Sequence, residues 1–231
     1  MCGRFAQRTP AKTLAREFQV NEIPDIEPRY NIAPTQDILS IRQTDEGREE
    51  AMLKWGLVPS WAKDVSIGAK LINARSETVT EKPSFREAFK KRRCIIPADG
   101  FYEWQRTGGR KQPYFFLMRD EHPFGFAGLW EKWRDADGQT LETCTILTTE
   151  ANEVLRPVHD RMPVILHSND YAIWLDGDPQ KLDLIKELLR PYPGEEMIGY
   201  SVSALINSPY NQGAELIAPL NASAAYQHKQ A

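Results

Sequence analysis

The chain begins Met1-Cys2-Gly3-Arg4-Phe5, and a cysteine directly behind the initiator offers a chemistry that the same residue elsewhere does not. Removal of Met1 turns Cys2 into an N-terminal 1,2-aminothiol, whose amine has an ordinary pKa of about 7.7–8.0 and whose thiol lies near about 8.5. Both nucleophiles are then partly deprotonated near neutrality and can attack one carbon in turn. With an aldehyde, the amine forms a Schiff base and the thiol closes a five-membered thiazolidine; the second attack is intramolecular and favoured entropically. Position alone favours an ordinary second residue, and only the residues downstream overturn that.

Three further groups have the right types for chemistry. In Gly100-Phe101-Tyr102-Glu103-Trp104, strand alternation puts Glu103 on the face of Phe101, with Tyr102 and Trp104 on the other. A carboxylate in so apolar a strand has two readings. It is the partner of an arginine in a structural ion pair, or it lines a pocket where desolvation raises its pKa toward useful acid–base values. His159-Asp160-Arg161-Met162-Pro163 sets a histidine in a charged loop closed by proline, a commoner place for function than for packing. Asn73 and Arg75 share a face of a short strand, where an amide and a guanidinium suit a phosphate or orient a substrate. Alternating polar residues also describe a solvated strand edge.

These residues need a frame. Thr9-Pro10 reads as a helix cap followed by proline at the first helical position, opening an amphipathic helix over 10–18 with Leu14 and Phe18 on its apolar side. Arg29 to Pro34 reads as an irregular loop. A hairpin follows, with strands around Asp37–Arg42 and Ala51–Leu57 joined at Glu46-Gly47, and then a Pro- and Gly-containing loop that exposes Trp61. Pro83 opens a helix carrying Phe85, Ala88 and Phe89, ended by Lys90-Lys91-Arg92-Arg93, basic residues suited to a helix C-terminus. From Cys94 to Thr149 the pattern is a meander of antiparallel strands turning at Gly108-Gly109 and Asp137-Gly138. Ser168 and Asp178-Pro179 cap two helices, and strands at Gly199–Val202 and Gly213–Ile217 close the chain. The expected fold is α+β: a single domain over 1–220, a strongly twisted, mostly antiparallel and barrel-like sheet with peripheral helices, followed by a polar tail over 221–231.

Composition narrows the class. With 231 residues, 41% hydrophobic and 26% charged, the chain has the makings of one ordinary globular core. No apolar stretch approaches the roughly 20 residues that span a bilayer, and no leader-like segment follows Met1, so a cytoplasmic protein without a membrane partner is expected. Three cysteines without CxxC spacing argue against a disulfide framework and a zinc site, and no metal or cofactor is expected. Cys94 and Cys144 lie in apolar runs and belong to the core. A net charge of −3 is not that of a general nucleic-acid coater, so phosphate binding must come from a local cluster.

From residue 2 to about residue 219 the sequence resembles the SRAP domain family. The resemblance rests on Cys2-Gly3-Arg4-Phe5, Arg29-Tyr30-Asn31-Ile32-Ala33-Pro34, Trp55-Gly56-Leu57-Val58-Pro59-Ser60-Trp61 and Ile72-Asn73-Ala74-Arg75-Ser76-Glu77-Thr78. It continues through Pro97 to Trp104, His159 to Pro163 and Asn211-Gln212-Gly213-Ala214-Glu215-Leu216, seven motifs in family order. It implies a monomeric protein that binds abasic sites in single-stranded DNA and links the lesion to its processed N-terminal cysteine as a thiazolidine. By motif, Cys2 is then the nucleophile, Asn73 positions it or the sugar, and Glu103 and His159 handle protons. Arg4, Arg75 and Arg161 grip phosphates, and Asn31, Pro34, Trp61 and Thr148 shape the DNA channel. Two rivals use the same residues: a thiol peptidase built on Cys2, and a non-catalytic single-strand binding module.

Overall fold

A computed structural model of the protein describes residues 2–220; the tail expected over 221–231 lies outside the described residues. The chain opens with a short strand β1 (Phe5–Gln7) and helix α1 (Ala11–Phe18), whose Leu14 and Phe18 are fully buried. Strand β2 (Arg29–Ile32) leads to the hairpin of β3 (Asp37–Thr44) and β4 (Gly47–Trp55), and a long loop then reaches β5 (Asn73–Arg75). Helix α2 (Arg86–Lys91) precedes the strand-rich middle: β6 (Arg93–Ala98), β7 (Gly100–Thr107), β8 (Arg110–Met118), β9 (Phe124–Arg134) and β10 (Thr140–Glu150). Two short strands, β11 (Arg161–Pro163) and β12 (Ile165–Leu166), two helices, α3 (Tyr171–Leu175) and α4 (Leu182–Glu187), and strand β13 (Met197–Ser201) complete it.

The strands divide into two sheets. One has the order β13-β8-β7-β1-β2; in the other, β10, β4, β3, β6 and β9 are joined in turn and β9 pairs back onto β10, which closes a five-stranded barrel. All these pairings are antiparallel except β10 with β4; β5 also lies parallel to β10, outside the ring. The barrel strands bury both faces, as their composition requires. Leu39, Ile41, Ile95, Leu129 and Leu147 pack against the helices with Phe18, Phe89 and Trp174. Leu53, Trp55, Cys94, Ile96, Cys144 and Ile146 pack instead with Phe5, Phe101 and Phe116 of the smaller sheet. The α+β expectation holds, as does burial of Cys94 and Cys144. The expected meander does not stay in one sheet: β6 ends at Ala98, β7 begins at Gly100, and the chain changes sheets across Asp99.

That residue also explains a helix start that differs from expectation. Asp99 accepts the backbone N–H of Arg8 at 2.5 Å, that of Thr9 at 3.0 Å and the Thr9 hydroxyl. Thr9 therefore ties β1 to the sheet crossing instead of capping α1, which begins behind Pro10 without a side-chain cap. Arg29 to Ile32, expected as a loop, is strand β2, because the edge of β1 offers its backbone partners: Phe5 pairs with Ile32 and Gln7 with Arg29. Gly213 to Ile217, expected as a strand, forms a 3-10 turn over Ala214–Ile217; nearby strand pairing is limited to the single Val202–Pro219 bridge, and local bonds such as Leu216 N–H to Gly213 carbonyl serve instead.

Phe5 joins the two sheets, its ring edge-on to Trp55 at 5.4 Å and to Phe126 at 5.8 Å between centroids. Phe5→Ala should lower unfolding free energy by about 3–5 kcal/mol, seen as a lower denaturant midpoint at an unchanged slope. A loss below about 1 kcal/mol would show that β1 is not anchored by this ring.

Candidate active site

Strand β1 is an interior strand, flanked by β2 on one side and β7 on the other, with Phe5 opposite Phe101 and Ala6 opposite Gly100. The antiparallel approach continues toward the terminus, since the Tyr102 N–H donates to the Arg4 carbonyl at 2.9 Å. Cys2 is thereby fed along β7 toward Glu103. The thiol is completely buried, and desolvation first, then the Glu103 carboxylate, push its pKa well above the ordinary thiol value. Both effects favour the neutral thiol.

Alternation along β7 holds: Phe101 turns into the core shared with Phe5, and Tyr102 into a separate cluster with Phe115 and Ile198. Glu103 is only 2% exposed, and burial raises its pKa, opposed by the nearby His159. His159 is half-buried beside it. Its Nδ1 accepts the Arg161 backbone N–H at 2.9 Å, which leaves the Nε2–H tautomer in the neutral ring. The Asp160 carboxylate stands 3.0 Å from the same Nδ1, a partner for the protonated ring.

Glu103 and His159 line one cavity of about 690 Å³ together with Arg4, Trp104, Arg106, Lys111 and Asn207. Arg4 is fixed there from behind. Its Nη1 donates to the Asn31 side-chain oxygen at 2.6 Å and to the Ile206 carbonyl at 3.0 Å. Asn31 is fully buried, its amide donating to the carbonyls of Ser208 at 2.9 Å and Asn211 at 2.8 Å. Asn31 thus bears on the cavity through Arg4, not by facing solvent.

The remaining candidates are not in the lining of this cavity. Asn73 and Arg75 sit on β5 opposite Ile146 and Thr148 of β10. The Asn73 amide donates to the Ile72 carbonyl at 3.0 Å, while its buried Oδ1 has no hydrogen-bond partner among the described residues and is an acceptor available to a ligand donor. Arg75 is exposed. Thr148 is fully buried, and Arg161 donates to its carbonyl at 2.6 Å while pairing twofold with Glu77 at 2.5 and 3.0 Å. Those bonds make Arg161 a brace between β11 and β10. Pro34 is half-buried in the link from β2 to β3. Trp61 is 58% exposed and lines a different hollow, of about 430 Å³, with Asp64, Ile67 and Lys70.

Trp104, Arg106, Lys111 and Asn207 were not among the sequence candidates. A signal for two of them exists: a two-residue turn at Gly108-Gly109 sets Arg106 opposite Lys111. Asn207 gives none, as only the fold brings its side chain to accept the Trp104 indole N–H at 2.8 Å. Among the described residues no group of His, Cys, Asp or Glu is arranged to hold a metal, and no helix is long and apolar enough to cross a membrane.

A cysteine delivered by an interior strand to a buried carboxyl, a histidine and an arginine defines a thiol-centred site, and residues 1–209 match the family model described as SOS response associated peptidase (SRAP). The chain belongs to the SRAP family. It is 45% identical over 221 residues to "Abasic site processing protein YoqW" of Bacillus subtilis (strain 168), covering 94% of this chain and 99% of the relative. It is 32% identical over 231 residues to "Abasic site processing protein YedK" of Escherichia coli (strain K12), covering 95% and 100%. A solved structure of a protein from Bacteroides thetaiotaomicron superposes with a TM-score of 0.82 at 27% identity, over 95% of this chain and 100% of that one.

The raised pKa of Glu103 has a stability consequence. The fold binds the proton more tightly than the unfolded chain does, so the associated stability is complete below the unfolded pKa and is lost as pH rises through the folded one. Glu103→Gln escapes that loss. In thermal melts it should match the parent near about pH 4 and surpass it near about pH 7. A variant less stable than the parent at neutral pH would identify the carboxylate as an ion-pair partner that the fold needs.

Proposed function

We propose that this protein processes abasic sites in single-stranded DNA by covalent capture, with Cys2, freed of Met1, forming a thiazolidine with the ring-opened sugar. The observation that carries this is the burial of the Cys2 thiol near Glu103, which itself lines a cavity with His159 and Arg4. Relatives named as abasic site processing proteins supply the substrate class.

The steps balance without a cofactor. Opening of the deoxyribose ring yields an aldehyde at C1′. The Cys2 amine adds to it, a carbinolamine forms, and water leaves to give the Schiff base. The sulfur then adds to the C=N carbon, its proton is removed and the ring nitrogen is protonated, so aldehyde and aminothiol become thiazolidine and one water. A neutral, desolvated thiol needs a base at the moment of attack. Glu103, with its carboxyl pKa raised, is a stronger base than an ordinary carboxylate and, once protonated, is the acid for the departing hydroxyl. His159 opposes that rise and so tunes it. Asn73 orients the thiol or the sugar through its open amide oxygen. Arg4 and Arg75 hold phosphates, Trp61 and Pro34 flank the strand, and Arg161, Thr148 and Asn31 keep that surface in shape. A peptidase reading, which the family's description offers, calls for a reactive thiolate, whereas burial and Glu103 both disfavour ionisation of Cys2.

The test is a denaturing gel after incubation with a single strand bearing one abasic site. The parent should give a heat-stable adduct, and Cys2→Ala should give none while retaining noncovalent binding; an adduct surviving in that variant would sink the mechanism. Cys2→Ser keeps the amine, so borohydride should trap a Schiff base, and failure to trap one would remove the amine from the scheme. Glu103→Gln should form the adduct about 10²–10⁴-fold more slowly at unchanged binding, measured as single-turnover rates.

A further inference from the structure

The cavity above Glu103 has a wall that the capture chemistry does not use. The Gly108-Gly109 turn has φ of 58° and 78°, both in the left-handed region that a two-residue type I′ hairpin turn requires, and it locks the register of β7 against β8. In that register Arg106 lies directly opposite Lys111. Both side chains are exposed, both line the cavity, and among the described residues neither has a hydrogen bond or an ion pair. Like charges placed directly across a strand pair are destabilising, so the pairing works against the hairpin unless an anion answers it.

The surroundings are cationic as well. The lining of this one cavity holds three permanent cations, Arg4, Arg106 and Lys111, against a single carboxyl, Glu103, which burial biases toward its neutral form. The chain as a whole carries a net charge of −3, so this concentration of positive charge is local. Arg4 is held by Asn31 and the Ile206 carbonyl, and Trp104 is pinned to Asn207, so that side of the cavity is fixed. The Arg106–Lys111 pair is left with its donors facing open space.

We propose that Arg106 and Lys111 form an anion subsite that takes one phosphodiester of the bound DNA strand, on a single side of the lesion. This rests on the function proposed above and extends it: the abasic sugar enters toward Cys2 and Glu103, and the adjoining phosphate is clamped between the two cations across the hairpin. A guanidinium and an ammonium converging on one group suit a phosphodiester, whose two free oxygens accept a forked donor and a point donor together.

The experiment compares the parent with the R106Q/K111Q double variant, and with K90Q/K91Q on α2 as a control for general loss of positive charge. Noncovalent affinity for an abasic single strand is measured against salt, using Cys2→Ala in each background to prevent capture. Each phosphate that the protein no longer neutralises lowers the log–log salt slope by about 0.7. R106Q/K111Q should show that decrease, K90Q/K91Q should not, and with Cys2 intact the adduct at saturating DNA should reach the parent's yield. Two shorter strands, each ending at the lesion on one side, then locate the subsite: the deficit should vanish on one of them and persist on the other. A parent slope in R106Q/K111Q, an equal fall in the control, or a deficit that behaves alike on both short strands would each overturn the subsite. A parent protein that forms no adduct at all would instead overturn the function on which it rests.

Discussion

The structure depends on placing Cys2, Phe5 and Ala6 in its interior. A terminus ordinarily frays, because its last residues gain little from pairing; here Phe5 and Ala6 have strands on both sides, and the Phe5 ring is shared between the two sheets. That burial does two things to Cys2 at once. It fixes the thiol beside Glu103, and it strips away the water that would otherwise stabilise the thiolate. In the proposed capture chemistry, a thiol so treated is slow by itself and reacts only when a neighbour accepts its proton. On that proposal, Glu103 and His159 hold the control over its reactivity.

The two sheets divide the labour. The closed barrel, with both faces buried, supplies rigidity and carries β5 on its outer strand β10. The smaller sheet holds the terminus and the hairpin wall of the cavity. The segment 206–211, held to β2 by Asn31, adds Asn207 from the far end of the sequence. Residues from four separate parts of the chain therefore meet around one opening of about 690 Å³.

Much of this was legible in the sequence, for identifiable reasons. Alternation placed Glu103 correctly with Phe101, since a strand's period of two leaves no freedom once its apolar face is known. Gly-Gly turns and the Cys94–Thr149 run marked the strands, and hydrophobic spacing marked α1 and α2. What failed were features decided by distant partners. Thr9 has the chemistry of a helix cap, but the Asp99 carboxylate competes for it; Arg29–Ile32 lacks strand character until β1 lies beside it; Gly213–Ile217 has apolar alternation and no edge to join. The same holds for the site. Motif resemblance assigned Asn31 and Thr148 to a DNA channel, while only the fold reveals that both side chains are fully buried.

The register that joins Phe5 to Phe101 also sets a schedule. During synthesis β1 can meet β2 early but lacks its second partner until β7 has been made, and at about 5–20 residues per second the ribosome takes roughly 5–20 s to get that far. Throughout that interval the β7 side of β1 stays open, and afterwards the strand is enclosed between β2 and β7. Enclosure of this segment is in this way timed by strand topology.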